Sequence, residues 1–525
     1  MQCTCVRQTD LPNSSKLFTD LVYHFDRVQD LYPWQPNNLQ ALAAAARFNF
    51  PDDRRAQVVQ ALAPLNPNSP SLEKLAERGT VAIVTGQQVG LFSGPAYTVY
   101  KALTAIRIAS ELSELGIPAV PMFWLATEDH DFAEVDHTDV FGADHRPVRL
   151  RTSAPAANGP RPVGTIPIGE APLSELKKAL EGLPFAQEAA ALVERAYRPG
   201  QTMGSAFAAL IRELFEPFGL LLIDPMSTEL RRIAAPLMKE VVERMPELAD
   251  GVIERSKELV ERGYHAQVLV DGKTSLAFLL ENGHRIALRR SPEGFAADRR
   301  KWSVSQLAEL AAELSPNALL RPVMQDYLFP TAAYVGGPAE LAYLAQSQVL
   351  YEKLLGRQPV AFPRAGFTLI DERSARRMAK YCLTPADLLV REQVFNQRLA
   401  GRLVPVQLKA GLEQTKKAVS AALDSFSDDL SHFDASLVSA LATSRRKIEY
   451  QVAKITRKTA AQILAKDEQA RRDAASLNGL VYPGGHLQER IYSIIPFIAQ
   501  FGPGLIGEIY DQVRVECPDH QFAVV

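Results

Sequence analysis

Cysteine is scarce in this chain: four residues in 525, at Cys3, Cys5, Cys382 and Cys517. That is too few for a disulfide framework in a chain of this size, and it points to a reducing compartment, the cytoplasm. The Cys3-x-Cys5 pair reads as a frayed terminus, because order is lost most readily at chain ends. No apolar run approaches the ~20 residues a bilayer requires. The run at 218–223 stops at Asp224 and Pro225 and reads as a core strand. Arg7, Asp10, Lys16 and Asp20 have no apolar stretch behind them, so a secretory leader is not expected. An excess of one charge is missing too. The formal net charge is −2, which provides no global field for nucleic acid or an anionic membrane, and neither is expected as a partner.

The stretch 80–101, TVAIVTGQQVGLFSGPAYTVYK, also lacks the GxGxxG and GxxxxGK[ST] patterns, which removes most support for a nicotinamide or P-loop site. What it contains is a short β-branched strand at 80–84 breaking into a turn with Gly86, Gly90 and Gly94, then Pro95 and a helix. Glycines permit close backbone approach, and the free N–H groups of a helix start attract anions. A nucleotide or another anionic ligand is therefore the expectation for this turn, set against the plainer reading of a turn kept for packing.

A second apolar strand, 117–126, ends in TEDHDFAEVDH, which supplies Glu128, Asp129, His130, Asp131, Glu134, Asp136 and His137. Ligands of open α/β sheets lie at the carboxyl ends of strands, so a polar cluster here marks a site. Three roles remain open: His130 or Asp131 as general base on an amine, carboxylates orienting a sugar or amino group, or His130, Asp131 and His137 around a metal. An acidic helix start is the plain alternative.

Composition shifts divide the chain. Residues 1–75 are helical and proline-punctuated, and 76–150 give a strand, glycine turn, helix and strand, the first half of a nucleotide-type core. Insertions are expected at 151–205, with a helical pattern over 173–197, and at 227–320, with two helices, a hairpin turning on Asn282-Gly283 and a further helix. A core strand lies within 206–226. The second half, 321–384, repeats the logic, with a strand at 327–335 running into Gly336 and Gly337, a helix bearing Glu340 and Tyr343, and Arg364 after another strand. Gln325 and Asp326 are expected in the same neighbourhood. From 385 to 480 proline and glycine nearly vanish, with no proline over 406–482 and no glycine over 412–478. Leu423, Phe426, Leu430, Phe433, Leu437, Leu441, Ile448, Val452 and Ile455 form a coiled-coil seam there, turning near Asp434 into two antiparallel helices. The basic run from Arg445 to Lys458 is its solvated flank, and 481–525 returns to the core.

Four blocks together resemble the bacillithiol biosynthesis cysteine-adding enzyme family: TGQQVGLFSGPAYTVYK, VPMFWLATEDHD, RPVMQDYLFPTAAYVGGPAELAY and AFPRAGFTLI. They occur in that family's order, and the similarity extends over essentially the whole chain. The resemblance implies an α/β fold with a Rossmann-like nucleotidyl-transferase-type core, connecting-peptide insertions and a C-terminal α-helical coiled coil that forms a homodimer. It also implies a ligase that joins the carboxyl group of cysteine to the amine of glucosaminyl malate. Against the wider superfamily, Leu91, Phe92, Ser93, Gly94 and Pro95 stand where a His-x-Gly-His turn is usual, and no Lys-Met-Ser-Lys loop occurs. Activation by adenylation, by phosphoryl transfer or from a ready-activated donor therefore stays open, with ATP or another nucleotide as the expected cofactor.

The candidate catalytic residues are His130, Asp131, Asp129 and Glu128. Thr85, Gly86, Gln87, Gln88, Gly90, Gly94, Tyr97, Lys101, Gly336 and Gly337 are the candidates for nucleotide, and Trp124, Gln325, Asp326, Glu340, Tyr343 and Arg364 those for substrate. No metal is expected. A noncatalytic nucleotide- or metabolite-binding protein that retains the fold is the alternative.

Overall fold

The computed structural model describes residues 1–153, 160–434 and 436–525. Residues 154–159, within the insertion expected at 151–205, and Ala435, in the turn expected near Asp434, lie outside the described residues.

The centre of the fold is a five-stranded parallel sheet in the spatial order Leu221–Ile223, Ala119–Leu125, Val81–Gln87, Thr331–Gly336, Val360–Pro363. Numbered along the chain this is 3-2-1-4-5, the Rossmann order. The strands are continuous apolar runs rather than alternating ones because both faces are covered. On one side Ala82, Val84, Met122 and Trp124 pack with the helices Lys16–Tyr23, Asp52–Leu62 and Thr228–Glu243. On the other, Val81 and Ile83 meet the helices Leu39–Ala45 and Tyr97–Glu114. The N-terminal helices thus contribute to the cover on both faces of the sheet.

The start of the second half of the core departs from the sequence reading. Gln325, Asp326 and Tyr327 belong to a helix, Arg321–Leu328, and the strand begins only at Thr331. Pro322 sits in the first turn of that helix, where its missing N–H costs nothing. The helical pattern over 173–197 is made of two helices, Leu173–Leu180 and Ala186–Ala196.

The Asn282-Gly283 hairpin is present, with both residues at positive φ. It is part of a larger antiparallel sheet, ordered Arg300–Trp302, Gly294–Ala297, His284–Ser291, Thr274–Glu281, Leu314–Pro316. The outer strands escape a sequence reading because they are short and get their partners from the sheet.

The N-terminus is not frayed. Gln2–Val6 pairs antiparallel with His520–Val524, which runs parallel to Gly366–Ile370, so the two chain ends close one three-stranded sheet.

Two long helices, Val406–Phe433 and Ser436–Lys466, form the antiparallel coiled-coil hairpin, and the Asp434 carboxylate accepts the Ser436 N–H at 2.8 Å in the turn. Leu437, Ile448 and Ile455 of its seam stay exposed. Among the described residues no helix is long and apolar enough to cross a membrane.

Candidate functional site

A cavity of about 640 Å³ opens at the carboxyl ends of the parallel strands. It sits where the strand order reverses, between Val81–Gln87 and Thr331–Gly336, which is where doubly wound sheets bind ligands. Gly86, Gln87, Trp124 and Gly337 come from strand ends, Tyr97 and Lys101 from the helix after the glycine turn, and Glu340 and Tyr343 from the helix after Gly337. Ser275, Phe278 and Arg285 of the antiparallel sheet roof it, and Arg490 enters from the C-terminal segment.

The floor is a buried polar network. Lys101 donates from Nζ to the Gly86 carbonyl at 2.9 Å and to Gln87 Oε1 at 2.8 Å, and it forms an ion pair with Glu340. Glu340 also accepts the Gly337 N–H at 2.9 Å and the Tyr334 hydroxyl at 2.8 Å. Burial works against its charge, but Lys101 and these donors outweigh it and hold the carboxyl below its ordinary range. Arg321 donates to the Tyr334 and Tyr343 hydroxyls at 2.8 and 2.9 Å. Glu340 and Lys101 therefore join the two halves of the sheet across the switch point.

The loop after Ala119–Leu125 supplies the titratable groups. Glu128 is buried, with Oε1 accepting from Trp124 Nε1 at 3.3 Å and Oε2 lacking a hydrogen-bond partner among the described residues. Burial pushes its carboxyl up to about 7, against a smaller opposing pull from Arg285. Asp129 accepts the His130 N–H at 2.7 Å and Gln88 Nε2 at 2.7 Å. Arg285 lies 3.7 Å from Asp129 and 3.3 Å from His130 Nδ1, stacks over Phe278 at 4.0 Å, and is anchored on the Pro316 carbonyl at 2.8 Å. Its Nε has no partner among the described residues. The result is a carboxyl poised near neutrality between an indole and a guanidinium, facing the cavity.

Glu128, Asp129, His130, Gly86, Gln87, Gln88, Tyr97, Lys101, Gly337, Trp124, Glu340, Tyr343 and Arg364 all line this cavity. Several other expected residues do not. Asp131 is exposed at the start of the helix Phe132–Val135 and lies outside the lining. Thr85 is buried and donates to the Val335 carbonyl at 2.8 Å, a bond between strands. Gln325 and Asp326 are buried in their helix beneath the floor, beside Arg357, and do not reach the lining. Gly336 is not in the lining either; a Cβ there would press on Glu340, Leu341 and Tyr334 at 3.1 Å. Arg364 is no open fork, because Glu489 occupies it at 2.5 and 3.0 Å.

The glycine turn differs most from expectation. Four of its N–H groups are spent inside the protein: Gly90 on the Gln88 carbonyl, Phe92 on the Tyr197 hydroxyl, Gly94 on the Leu91 carbonyl and Ala96 on the Tyr492 carbonyl. Gly90 and Gly94 pack within the turn, where a Cβ on Gly90 would meet Gly94 Cα at 2.9 Å. Both line a second, smaller cavity of about 140 Å³, which shares Gln87, Gln88, Tyr97 and Arg490 with the main one. His137 lies there too, so His130 and His137 face different cavities.

Sequence reading missed Arg285, Arg321 and Arg490 as site residues. Arg285 and Arg490 sit far along the chain from the acidic loop, and no local pattern distinguishes them from surface arginines. A hint existed only for Arg321, in the block that also holds Glu340.

Comparison with known proteins accords with this geometry. The model of the bacillithiol biosynthesis BshC N-terminal Rossmann-like domain matches residues 1–365, and that of the BshC C-terminal coiled-coil domain matches residues 367–525. A protein of Solibacter usitatus (strain Ellin6076) named "Putative cysteine ligase BshC" is 50% identical over 526 residues, covering 100% of both chains. Proteins of the same name from Koribacter versatilis (strain Ellin345) and Salinibacter ruber (strain DSM 13855 / M31) are 35% and 30% identical, covering 98% and 97% of this chain and 98% and 96% of the relatives. The sheet order, the cavity at its switch point and two family models that together span the chain lead to one conclusion: this protein belongs to the bacillithiol biosynthesis BshC family.

Proposed function

We propose that the protein is a cytoplasmic ligase that joins the carboxyl group of cysteine to the amine of glucosaminyl malate, the last step of bacillithiol biosynthesis. The observation that carries this reading is Glu128, a buried carboxyl pushed up to about 7 at the wall of a cavity large enough for an amino sugar conjugate. An amine attacks an acyl carbon only as a free base, and it must shed a proton as the carbon–nitrogen bond forms. The Glu128 carboxylate accepts that proton, while the bond from the acyl carbon to its activating oxygen breaks with the electron pair leaving on oxygen. Asp129 and Arg285 hold His130 at the same wall, where it orients the amine.

Free cysteine carboxylate is not electrophilic, and a nucleotide, when bound, supplies its activation. The residues present suit such a group in one respect: Arg285 and Arg321 give the main cavity two cationic groups for phosphate, and Arg285 Nε is free of partners among the described residues. The glycine turn adds less to this role, because four of its N–H groups, those of Gly90, Phe92, Gly94 and Ala96, are already bonded. The exposed seam of the coiled coil supports a homodimer through residues 410–475.

The test is product formation by the purified protein from cysteine, glucosaminyl malate and ATP, followed by mass spectrometry. Glu128→Gln is expected to reduce turnover at least about a hundredfold. Undiminished turnover in a folded Glu128→Gln variant would remove the general-base role.

A further inference from the structure

The small cavity is built for a ligand of its own. At about 140 Å³ it has less than a quarter of the volume of the main cavity, which is about 640 Å³. That is too little for a nucleotide or an amino sugar conjugate and suits a short amino acid. Its walls carry unpaired charge of both signs. Arg490 has no carboxylate partner, and Glu134 no cationic partner, among the described residues, and both line the cavity. The other carboxylate there, Asp139, is already held by both prongs of Arg149 at 3.1 and 2.9 Å. Thr138, 4% exposed, lines the same cavity, and its hydroxyl has no hydrogen-bond partner among the described residues. A buried hydroxyl without a partner costs free energy that a ligand can return.

Position matters as much as charge. Gln88 donates both to Asp129 at the main cavity and to Glu134 at the small one, at 2.7 and 2.6 Å. One side chain, with Gln87 and Tyr97, thus forms the partition between two cavities that meet at Arg490. A ligase needs two organic substrates side by side, with the acyl carbon of one within reach of the amine of the other.

We propose that the small cavity binds the amino acid substrate as a zwitterion, its carboxylate on Arg490, its ammonium on Glu134 and a hydrogen bond from Thr138. The main cavity then takes the amine substrate. The identification of that amino acid as cysteine rests on the ligase reading; the fit to a short α-amino acid does not.

Calorimetric titration of the full chain with L-cysteine and L-serine tests the assignment, with Glu134→Gln and Thr138→Met as variants. Thr138→Met fills the cavity without touching the main one, and Glu134 is exposed, so its neutralisation leaves the core intact. Each variant is expected to weaken L-cysteine about tenfold or more, and to leave binding of glucosaminyl malate within about twofold. In turnover, the KM for cysteine should rise while that for glucosaminyl malate holds. A parent that forms the amide while both folded variants keep the parental KM for cysteine overturns the small cavity and leaves the ligase reading standing. A parent that binds both amino acids at a Thr138-sensitive site but forms no amide does the reverse. Failure of the parent to bind either amino acid, alone or with glucosaminyl malate present, overturns the assignment.

Discussion

Arg364 and Glu489 form a buried two-pronged ion pair, at 2.5 and 3.0 Å, between the last residues of the segment matched by the Rossmann-like family model and the segment matched by the coiled-coil model. Both side chains are under a tenth exposed, at 6% and 3%. Glu489 further accepts the Phe367 N–H at 3.0 Å, so each carboxylate oxygen has a donor. The pair fixes the C-terminal segment, and with it Arg490, against the wall of the main cavity.

Breaking this pair from one side strands a buried charge. Arg364→Met or Glu489→Leu alone should cost about 3–5 kcal/mol, and the double variant clearly less than the sum of the two. Chemical denaturation of the three variants measures it.

Glu128 sets a pH dependence of stability. Its folded carboxyl titrates near 7 against an ordinary value of 4.5, so the folded protein binds more protons than the unfolded chain between those values, and stability falls as pH rises through that window. At about 1.4 kcal/mol per pH unit of difference, the cost approaches ~3 kcal/mol by pH 8. Melts from pH 5 to 8 should show a steeper fall for the parent than for Glu128→Gln, with the variant the more stable at pH 8.

Gly86 and Gly337 line the same cavity but should differ in their tolerance of a methyl group. A Cβ on Gly86 would meet the Trp124 carbonyl oxygen and Cβ at 2.8 Å, in the neighbouring strand, whereas one on Gly337 would have its nearest atoms at 3.6 and 3.7 Å. Gly86→Ala is expected to destabilise by about 1–3 kcal/mol, and Gly337→Ala to stay within about 0.5 kcal/mol. Thermal unfolding of the two variants separates them.

The coiled-coil seam leaves Leu437 39%, Ile448 38% and Ile455 54% exposed. Leu437→Glu with Ile448→Lys should convert a dimer to a monomer by light scattering, with the core melting transition retained. A parent of monomer mass at micromolar concentration would count against pairing through this seam.

His130 is held by Arg285 and Asp129 at the cavity wall but is itself partly exposed. His130→Ala should lower turnover about a hundredfold or more while shifting the melting temperature little, and a steady-state assay beside a thermal melt checks both.

The sequence alone determined the local elements, because their signals lie within a few residues. The apolar runs of the parallel strands, the Asn282-Gly283 turn and the seam from Leu423 to Ile455 need no partner to be read. It also put Glu128, Asp129 and His130 at a strand's carboxyl end, where α/β sheets bind ligands, and its block order identified the family. Tertiary structure decided what depends on distance along the chain. The strand Gln2–Val6 exists because His520–Val524, at the other terminus, supplies its hydrogen bonds. Arg285 becomes a site residue because the antiparallel sheet folds over the acidic loop. Tyr197 and Tyr492 each take up one N–H of the glycine turn, those of Phe92 and Ala96, and Glu489 fills the fork of Arg364. A backbone pattern shows which donors a segment carries, but only the folded chain determines which of them remain free.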